Sequence, residues 1–414
     1  MYRITAPSLH NCSIDLPRSK SISNRVLIIN ALAQSVYPPE GLAHCDDTSV
    51  MLEALATDNT TINIDNAGTA MRFLTAYFAT QPGSRILTGS PRMLQRPIAP
   101  LVDALRDIGA DITYIGQAGF PPLRINGSTL KGGAVTIPAH ISSQFISAIL
   151  LIAPYTTQGV QLTLQGHITS RPYIDMTLAL MQQYGINAIQ EDNTISIPPS
   201  SYRYTTPHIE RDWSAAAFWY LITLLSQQSF DLNQLTTTGI QGDAIATRYF
   251  EKLGVTTQPG TNGTRIAPCQ HSITQQEWLL NLSHCPDLAQ PLIVGCLLKG
   301  QHFCFEGLHN LRIKETDRIT DTIQQARKLG YILTQPHNGS IRWSGEMCDI
   351  THPIVIDTCN DHRIAMTFAP AAITHKEICI LHPSVVEKSY PEFWQHLAMA
   401  GFNITDNNGK EIKL

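Results

Sequence analysis

Five stretches of helical apolar spacing end in an apolar residue or alanine followed by glycine: ALRDIGA, LMQQYGI, FEKLGV, ARKLGY and LAMAGF, with the glycines at 109, 185, 254, 330 and 401. Successive glycines are 76, 69, 76 and 71 residues apart. Each suits the position just past a helix end, where left-handed backbone closes the last turn. Alternating apolar and polar residues with turn chemistry in the middle follow each one, as in YILTQPHNGSIRW and FNITDNNGKEIKL, so every unit is predicted to end as helix, stop, hairpin. Upstream lies a second, more apolar helix with small polar residues at its mouth: SKSISNRVLIINALA, DNAGTAMRFLTAYFA, SSQFISAILLIA, DWSAAAFWYLITLL, PDLAQPLIVGCLL and NDHRIAMTFAPAA. Six copies of buried helix, outer helix and strands predict a repeated α+β unit of roughly 70 residues, too small for a generous core alone and so expected to pack three and three. The segment IPPSSYRYTTPH, 197–208, reads as the break between the groups. The first unit is short, because only TDNTTIN separates its LEALA helix from DNAGTA.

Composition narrows the class. At 414 residues, 43% hydrophobic and 15% charged, the chain is globular and long enough for two or three domains. A net charge of −4 argues against general nucleic-acid or anionic-membrane affinity, so anion binding must come from local clusters. No apolar run reaches membrane-spanning length and MYRITAPSLH lacks the apolar core of a signal peptide, so the expected location is cytoplasmic. The nine scattered cysteines are never spaced as metal or redox pairs and read as reduced core residues.

The chemistry gathers at helix mouths. NLRIKETDR, 310–318, places Lys314 and Arg318 around Glu315 and Asp317, where a helix is expected to begin near Glu315 and run to Gly330. In SKSISNR, Lys20 and Arg25 accompany Ser21 or Ser23 as candidate caps whose helix amides would face the same anion. NAGTAMR puts Gly68 where backbone can approach a ligand, with Asn66 beside it and Arg72 one turn inward. PRMLQRP adds Arg92 and Arg96, a proline beside an arginine suiting a bidentate clamp. Ser142, Ser143 and Gln144 offer neutral hydrogen-bonding groups, or simply a double-serine cap; Ser170, Arg171 and Tyr173 offer more. Asp287, just after Pro286, is either a partner for the helix dipole or a base held in a cleft. Asp361, His362, Arg363 and Lys388 complete the set. His284, Cys285 and Asp287 cluster, as do Cys359 and His362, but with no familiar ligand spacing, so no metal is expected. Cations spread over both halves imply a site for multiply charged small molecules bearing phosphate and carboxylate, with Asp287, Lys314 and Glu315 as acids and bases.

The turns PRSKSISNR, NAGTAMR, PRMLQRP, SSQF, SRPY, IQGD, CPD, NLRIKETDR, NDHR and EKSYPEF, in this order, resemble those of the 5-enolpyruvylshikimate-3-phosphate synthases almost end to end. The resemblance implies an α/β (α+β) fold of two domains, each of three βαβαββ units in an inverse α/β barrel-like arrangement. It places them at 17–210 and at 1–16 plus 211–414, with the active site in the cleft between them. It implies a monomeric, cofactor-free and metal-free transferase of the shikimate pathway, leading to chorismate and aromatic amino acids. The reaction passes the enolpyruvyl group of phosphoenolpyruvate to the 5-hydroxyl of shikimate 3-phosphate through a tetrahedral intermediate and releases phosphate. No nucleic acid, membrane or protein partner is implied.

Carried onto this chain, the resemblance assigns phosphoenolpyruvate to Lys20, Asn66, Gly68, Arg96, Gln144, Glu315, Arg318, Arg363 and Lys388. It assigns shikimate 3-phosphate to Lys20, Ser21, Arg25, Ser142, Ser143, Gln144, Ser170, Tyr173, Asp287, Asn310 and Lys314. Asp287 would take the hydroxyl proton with Lys314 assisting, Glu315 would protonate the methylene carbon, and Lys20 and His362 would contribute. Phe73 stands where many members have proline, which bears on sensitivity to glyphosate, an inhibitor of the family's phosphoenolpyruvate site; Gly68 is retained. Arg211 stands where glycine is usual, with no role readable from sequence. The sister family that uses UDP-N-acetylglucosamine relies on a cysteine in a loop of its first domain, and no cysteine lies between Cys45 and Cys269. A non-catalytic phosphometabolite-binding protein would have no need of Asp287, Lys314 and Glu315 together.

Overall fold

The N-terminal strands β1 (Tyr2–Thr5) and β2 (Cys12–Ile14) belong to the same compact domain as the C-terminal half of the chain. The computed structural model describes residues 1–35, 37–270 and 276–412. One domain is Ser19–Ile209; the other is discontinuous, Met1–Arg18 with Glu210–Leu414.

The 19–209 domain opens with α1 (Lys20–Leu32) and α2 (Asp46–Ala56). Two full repeats follow: β3 (Thr61–Asn63), α3 (Gly68–Ala79), β4 (Gly83–Thr88), α4 (Ala99–Asp107), β5 (Asp111–Tyr114) and β6 (Leu123–Gly127), then β7 (Gly133–Pro138), α5 (Ser143–Ile152), β8 (Val160–Gln165), α6 (Arg171–Gln183), β9 (Ile189–Glu191) and β10 (Thr194–Ile197). Their sheets run β3-β4-β6-β5 and β7-β8-β10-β9. In both, the first two strands are parallel across a helical crossover and the last two form an antiparallel hairpin. The first repeat keeps only its two helices: the chain leaves α2 and enters β3, which pairs in the next sheet.

The discontinuous domain continues with α7 (Trp213–Ser226), β11 (Phe230–Asn233), α8 (Ala246–Glu251), β12 (Val255–Gly260) and β13 (Gly263–Pro268). Next come β14 (Trp278–Asn281), α9 (Ala289–Lys299), β15 (Phe303–Glu306), α10 (Arg318–Lys328) and β16 (Ile341–Trp343). The chain ends with β17 (Val355–Ile356), α11 (His362–Phe368), α12 (Ala372–His375), β18 (Glu377–Ile380), α13 (Phe393–Met399) and β19 (Asn403–Thr405). The N-terminal strands complete two of its sheets: β2 pairs parallel to β11 in β12-β13-β11-β2, and β1 lies between β18 and β19 in β17-β18-β1-β19. The remaining sheet is β14-β15-β16.

The glycines at 109, 185, 254, 330 and 401 all have positive φ, from 85° to 105°. At four of the five ends the next residue's N–H reaches back to close the turn, as Ala110 to the Leu105 carbonyl and Tyr331 to that of Ala326. Inner helices α3, α5, α7, α9 and α11 are almost wholly buried and pack on one another within each domain, with α3 on α5 and α7 on α9. Burying an apolar helix on all sides leaves its mouth as the one place where polar groups are presented.

Two expected helix starts move. α10 begins at Arg318 rather than near Glu315, because Asp317 accepts the N–H groups of Ile319 and Thr320, each at 3.2 Å. Lys314 is extended, so it and Arg318 are not a pair on one helix face. α1 is capped by Ser19, which accepts from Ile22 N, rather than by Ser21 or Ser23; Ser23 Oγ instead donates to the Ser19 carbonyl and accepts the Ala43 N–H. Arg211 finds a role at the crossing, donating to the Leu16 carbonyl and, at 3.0 Å, to Gln234 Oε1.

Candidate active site

In the 19–209 domain, the mouths of α1, α3, α5 and α6 are tied together by their own side chains. Arg25, 2% exposed, donates from Nε to Thr177 Oγ1 (2.7 Å), from Nη1 to the Ser21 carbonyl (2.8 Å), and from Nη2 to Ser147 Oγ (3.2 Å) and the Tyr173 carbonyl (3.1 Å). The Phe73 ring packs 5.3 Å from its guanidinium, which accounts for a buried aromatic at that position. Burial lowers the Arg25 pKa to about 10, against the influence of Tyr173. Four of its five N–H groups are committed within the protein, so Arg25 braces the mouths.

Lys20, the first residue of α1, lies 2.9 Å from Asp47, a buried carboxylate in the first turn of α2. Arg96 is buried against the start of α3, its guanidinium nitrogens 2.7 Å from where a Cβ on Gly68 would stand. Only glycine leaves that space. Arg72 donates to the Gly68 and Pro97 carbonyls, and Ser90 Oγ donates to Asn66 Oδ1. Ser142 caps α5 through the Gln144 N–H, while Gln144 Nε2 donates to Thr69 Oγ1 at 3.0 Å. Ser143 is buried, and Ser170 holds a left-handed conformation (φ 53°) at the start of α6.

In the discontinuous domain, three carboxylates surround Arg318, which is 2% exposed. Its Nε donates to Asp361 Oδ2 at 2.6 Å, Nη2 to Asp361 Oδ1 at 3.2 Å and Glu315 Oε2 at 2.8 Å, and Nη1 to Asp287 Oδ1 at 3.2 Å. Arg363 donates to Asp287 twice, from Nη2 to Oδ2 at 2.8 Å and from Nη1 to the carbonyl at 3.0 Å. Lys314 stands 3.9 Å from Asp287 and Lys388 3.9 Å from Glu315. Asp361, wholly buried, caps α11 by accepting the Arg363 N–H, with His362 Nδ1 3.4 Å from it. Asn310 is buried in the turn before Lys314.

The charges fix the protonation states. Burial alone would raise the Asp287 carboxyl, but Arg363, Lys314 and Arg318 outweigh it and hold that group well below the usual carboxylate range, with Glu315 opposing. Burial would lower Arg318, yet Asp361, Glu315 and Asp287 hold its pKa above the ordinary value. Asp243 behaves oppositely: burial and the Asp287 charge push it up to about 6, while a hydrogen bond from Ser214 and the charge of Arg363 oppose the rise. Among the described residues, no group of three or more His, Cys, Asp or Glu is placed to hold a metal, and no helix is long and apolar enough to cross a membrane.

The family model described as EPSP synthase (3-phosphoshikimate 1-carboxyvinyltransferase) matches residues 55–397. The chain belongs to the EPSP synthase family. A 3-phosphoshikimate 1-carboxyvinyltransferase of Bacteroides fragilis is 46% identical over 408 residues, 97% of this chain and 98% of that one. One from Neisseria meningitidis is 34% identical over 428 residues, covering 95% and 96%. The solved EPSP synthase of Acinetobacter baumannii shares the fold, with a TM-score of 0.76 at 21% identity over 98% of this chain and all of that one. The two-domain enolpyruvyl transferase fold expected of the family is therefore the fold of this chain.

Of the residues carried over from the family's motifs, the structure brings Asp287, Lys314, Glu315, Arg318, His362, Arg363 and Lys388 into one cluster. Gly68 with Arg96, Gln144 with the start of α3, and Arg25 with Ser21 and Tyr173 are joined in the other domain. Sequence reading left out Asp47, the partner of Lys20, and Asp243. HCDD at 44–47 and IQGD at 240–243 each carry the carboxylate, but a lone acid does not disclose what it faces.

Proposed function

We propose that the chain transfers the enolpyruvyl group of phosphoenolpyruvate to the 5-hydroxyl of shikimate 3-phosphate and releases phosphate, acting as a monomer in the cytoplasm. The similarity over nearly the whole length of the Bacteroides fragilis relative carries this reading, and the chemistry of the clusters supports it.

Addition needs an acceptor for the hydroxyl proton, a donor to the methylene carbon, and fixed positive charge for two carboxylates and two phosphates. Asp287 is ionised at neutral pH and takes the hydroxyl proton, with Lys314 beside it. Glu315, held by Arg318, supplies the proton to the methylene carbon, with His362 assisting. Removing a proton from the resulting methyl group then expels phosphate and re-forms the carbon–carbon double bond, now as the enol ether of the product. Arg318, Arg363 and Lys388, with Lys20, Asn66, Gly68, Arg96 and Gln144, hold phosphoenolpyruvate. Lys20, Ser21, Arg25, Ser142, Ser143, Gln144, Ser170, Tyr173, Asn310 and Lys314 hold shikimate 3-phosphate. Cations already hydrogen-bonded to carboxylates lose little freedom on binding, so the charge that meets the departing phosphate is preorganised.

The test is phosphate release by purified protein given phosphoenolpyruvate with either shikimate 3-phosphate or UDP-N-acetylglucosamine. Release with the first acceptor alone is expected; release with the second, or with neither, overturns the reading.

A further inference from the structure

Glu315 stands in a segment, 314–317, that lies between the single turn His309–Ile313 and the start of α10 and has no helix or strand of its own. Of the three carboxylates on Arg318, Asp361 is fixed as the cap of α11 and Asp287 lies in the turn Pro286–Leu288 that opens α9, so Glu315 is the one whose backbone no regular structure holds. Side chains hold it instead. Arg312 Nη1 donates to Asp317 Oδ2 at 2.5 Å, tying the two ends of the segment together. Thr316, the residue after Glu315, donates its hydroxyl to Asp321 Oδ2.

Asp321 lies in the first turn of α10, where a carboxylate suits the helix dipole whichever way it points. A side chain serving the dipole alone would face water. Asp321 is half-buried and turned back onto Thr316; burial raises its carboxyl, with hydrogen bonds from Thr316 and the Cys359 thiol opposing the rise. One turn further along the same face, Gln325 is 2% exposed. Its Oε1 accepts the Asp357 N–H at 3.0 Å and its Nε2 donates to Cys359 Sγ at 3.9 Å. Cys359 and Asn360, just before Asp361, are both left-handed, with φ of 51° and 56°. Such a turn costs free energy at each residue and persists where its surroundings hold it. Arg318, Asp321 and Gln325 are therefore three neighbours on one face of α10: the first binds Glu315 and Asp361, and the other two hold the segments that carry them.

We propose that Asp321 is a positioning residue of the reaction: by accepting the Thr316 hydroxyl it pins the 314–317 segment and keeps the Glu315 carboxyl where it can hand its proton to the methylene carbon. This rests on the functional reading above. Without that bond Arg318 would still attract Glu315, but an ion pair tolerates several approaches, whereas transfer to carbon needs the reacting atoms aligned at about 3–3.5 Å. The loss therefore falls on turnover and not on binding.

The experiment measures kcat, both KM values and urea midpoints for the wild type, Thr316→Val, Thr316→Ser, Asp321→Ala, Asp321→Asn and the double variant Thr316→Val with Asp321→Ala. Thr316→Val and Asp321→Ala are each expected to lower kcat by roughly 3- to 10-fold with both KM values within about twofold. Thr316→Ser keeps the donor and Asp321→Asn keeps an acceptor, so both should retain kcat within about twofold. The double variant should be no slower than the slower single one by more than about twofold, because both changes remove the same bond. Unchanged kcat in Thr316→Val, losses that multiply in the double variant, or a Thr316→Ser as slow as Thr316→Val each overturn the proposal. Should Asp321→Ala not fold, Thr316→Val against Thr316→Ser decides the matter. A wild type that releases no phosphate overturns the functional reading and this role with it; a working wild type with an unaltered Thr316→Val overturns this role alone.

Discussion

Replacing Gly68 with alanine disturbs the Arg96 guanidinium directly. Gly68 is the first residue of α3 and has no positive φ, so alanine fits its backbone and costs the helix nothing. The added methyl would stand 2.7 Å from both terminal nitrogens of Arg96 and 2.9 Å from Cζ. Reaching an ordinary separation of ~3.5 Å needs a retreat of about 0.8 Å, and Arg96 is 4% exposed, so its surroundings resist any larger rearrangement. A hydrogen bond to a charged group is worth about 1.5–3 kcal/mol, and a misplacement of about 1 Å can cost up to a hundredfold. Losing about half of one such bond corresponds to roughly a tenfold change. Steady-state kinetics should therefore show the KM for phosphoenolpyruvate rising roughly tenfold, the KM for shikimate 3-phosphate within about twofold, and unchanged urea stability. A folded variant with an unaltered KM for phosphoenolpyruvate would refute the reasoning, because Arg96 would then either move freely or not touch that substrate, and Gly68 would not line its site.

Three further outcomes are expected. Asp361→Ala leaves Arg318 buried with two carboxylates instead of three and should lower unfolding stability in urea by about 3 kcal/mol; a loss under about 1 kcal/mol would show that Asp287 and Glu315 compensate. Arg211→Gly removes the donors to the Leu16 carbonyl and Gln234 at the crossing and should cost about 1–2 kcal/mol, measured the same way, with no loss contradicting the role given to Arg211. Asp243 has a folded pKa of about 6, above its unfolded value of 3.8, so the folded state releases that proton later and its contribution to stability falls as pH rises from about 4 to about 6. Asp243→Asn should therefore gain stability relative to the wild type across that interval, and parallel stability curves would count against the shift.

Much of the fold was legible in the sequence because the repeat is written in local terms. Glycine at a helix end and an apolar inner helix are short-range signals, and the five helix-stop glycines occupy the expected conformation. Where two local signals competed, the sequence alone did not decide. Asp317 and Glu315 both suit a helix start, and Asp317 prevails because its short side chain reaches two free amides. The cations of the site were visible one by one, but their partners were not. Arg318 meets carboxylates from positions 287, 315 and 361, and only the fold brings these together. For the same reason Lys20 stood out and Asp47 did not.

The acid and base assignment is tested most directly by running the reaction in deuterium oxide and weighing the product. If Glu315 delivers a solvent-exchangeable proton to the methylene carbon, that carbon passes through a methyl group, and part of the enolpyruvyl product will carry deuterium at its methylene position. Glu315→Gln should suppress that labelling together with turnover. Phosphate released alongside a wholly unlabelled product would contradict addition and elimination at this site.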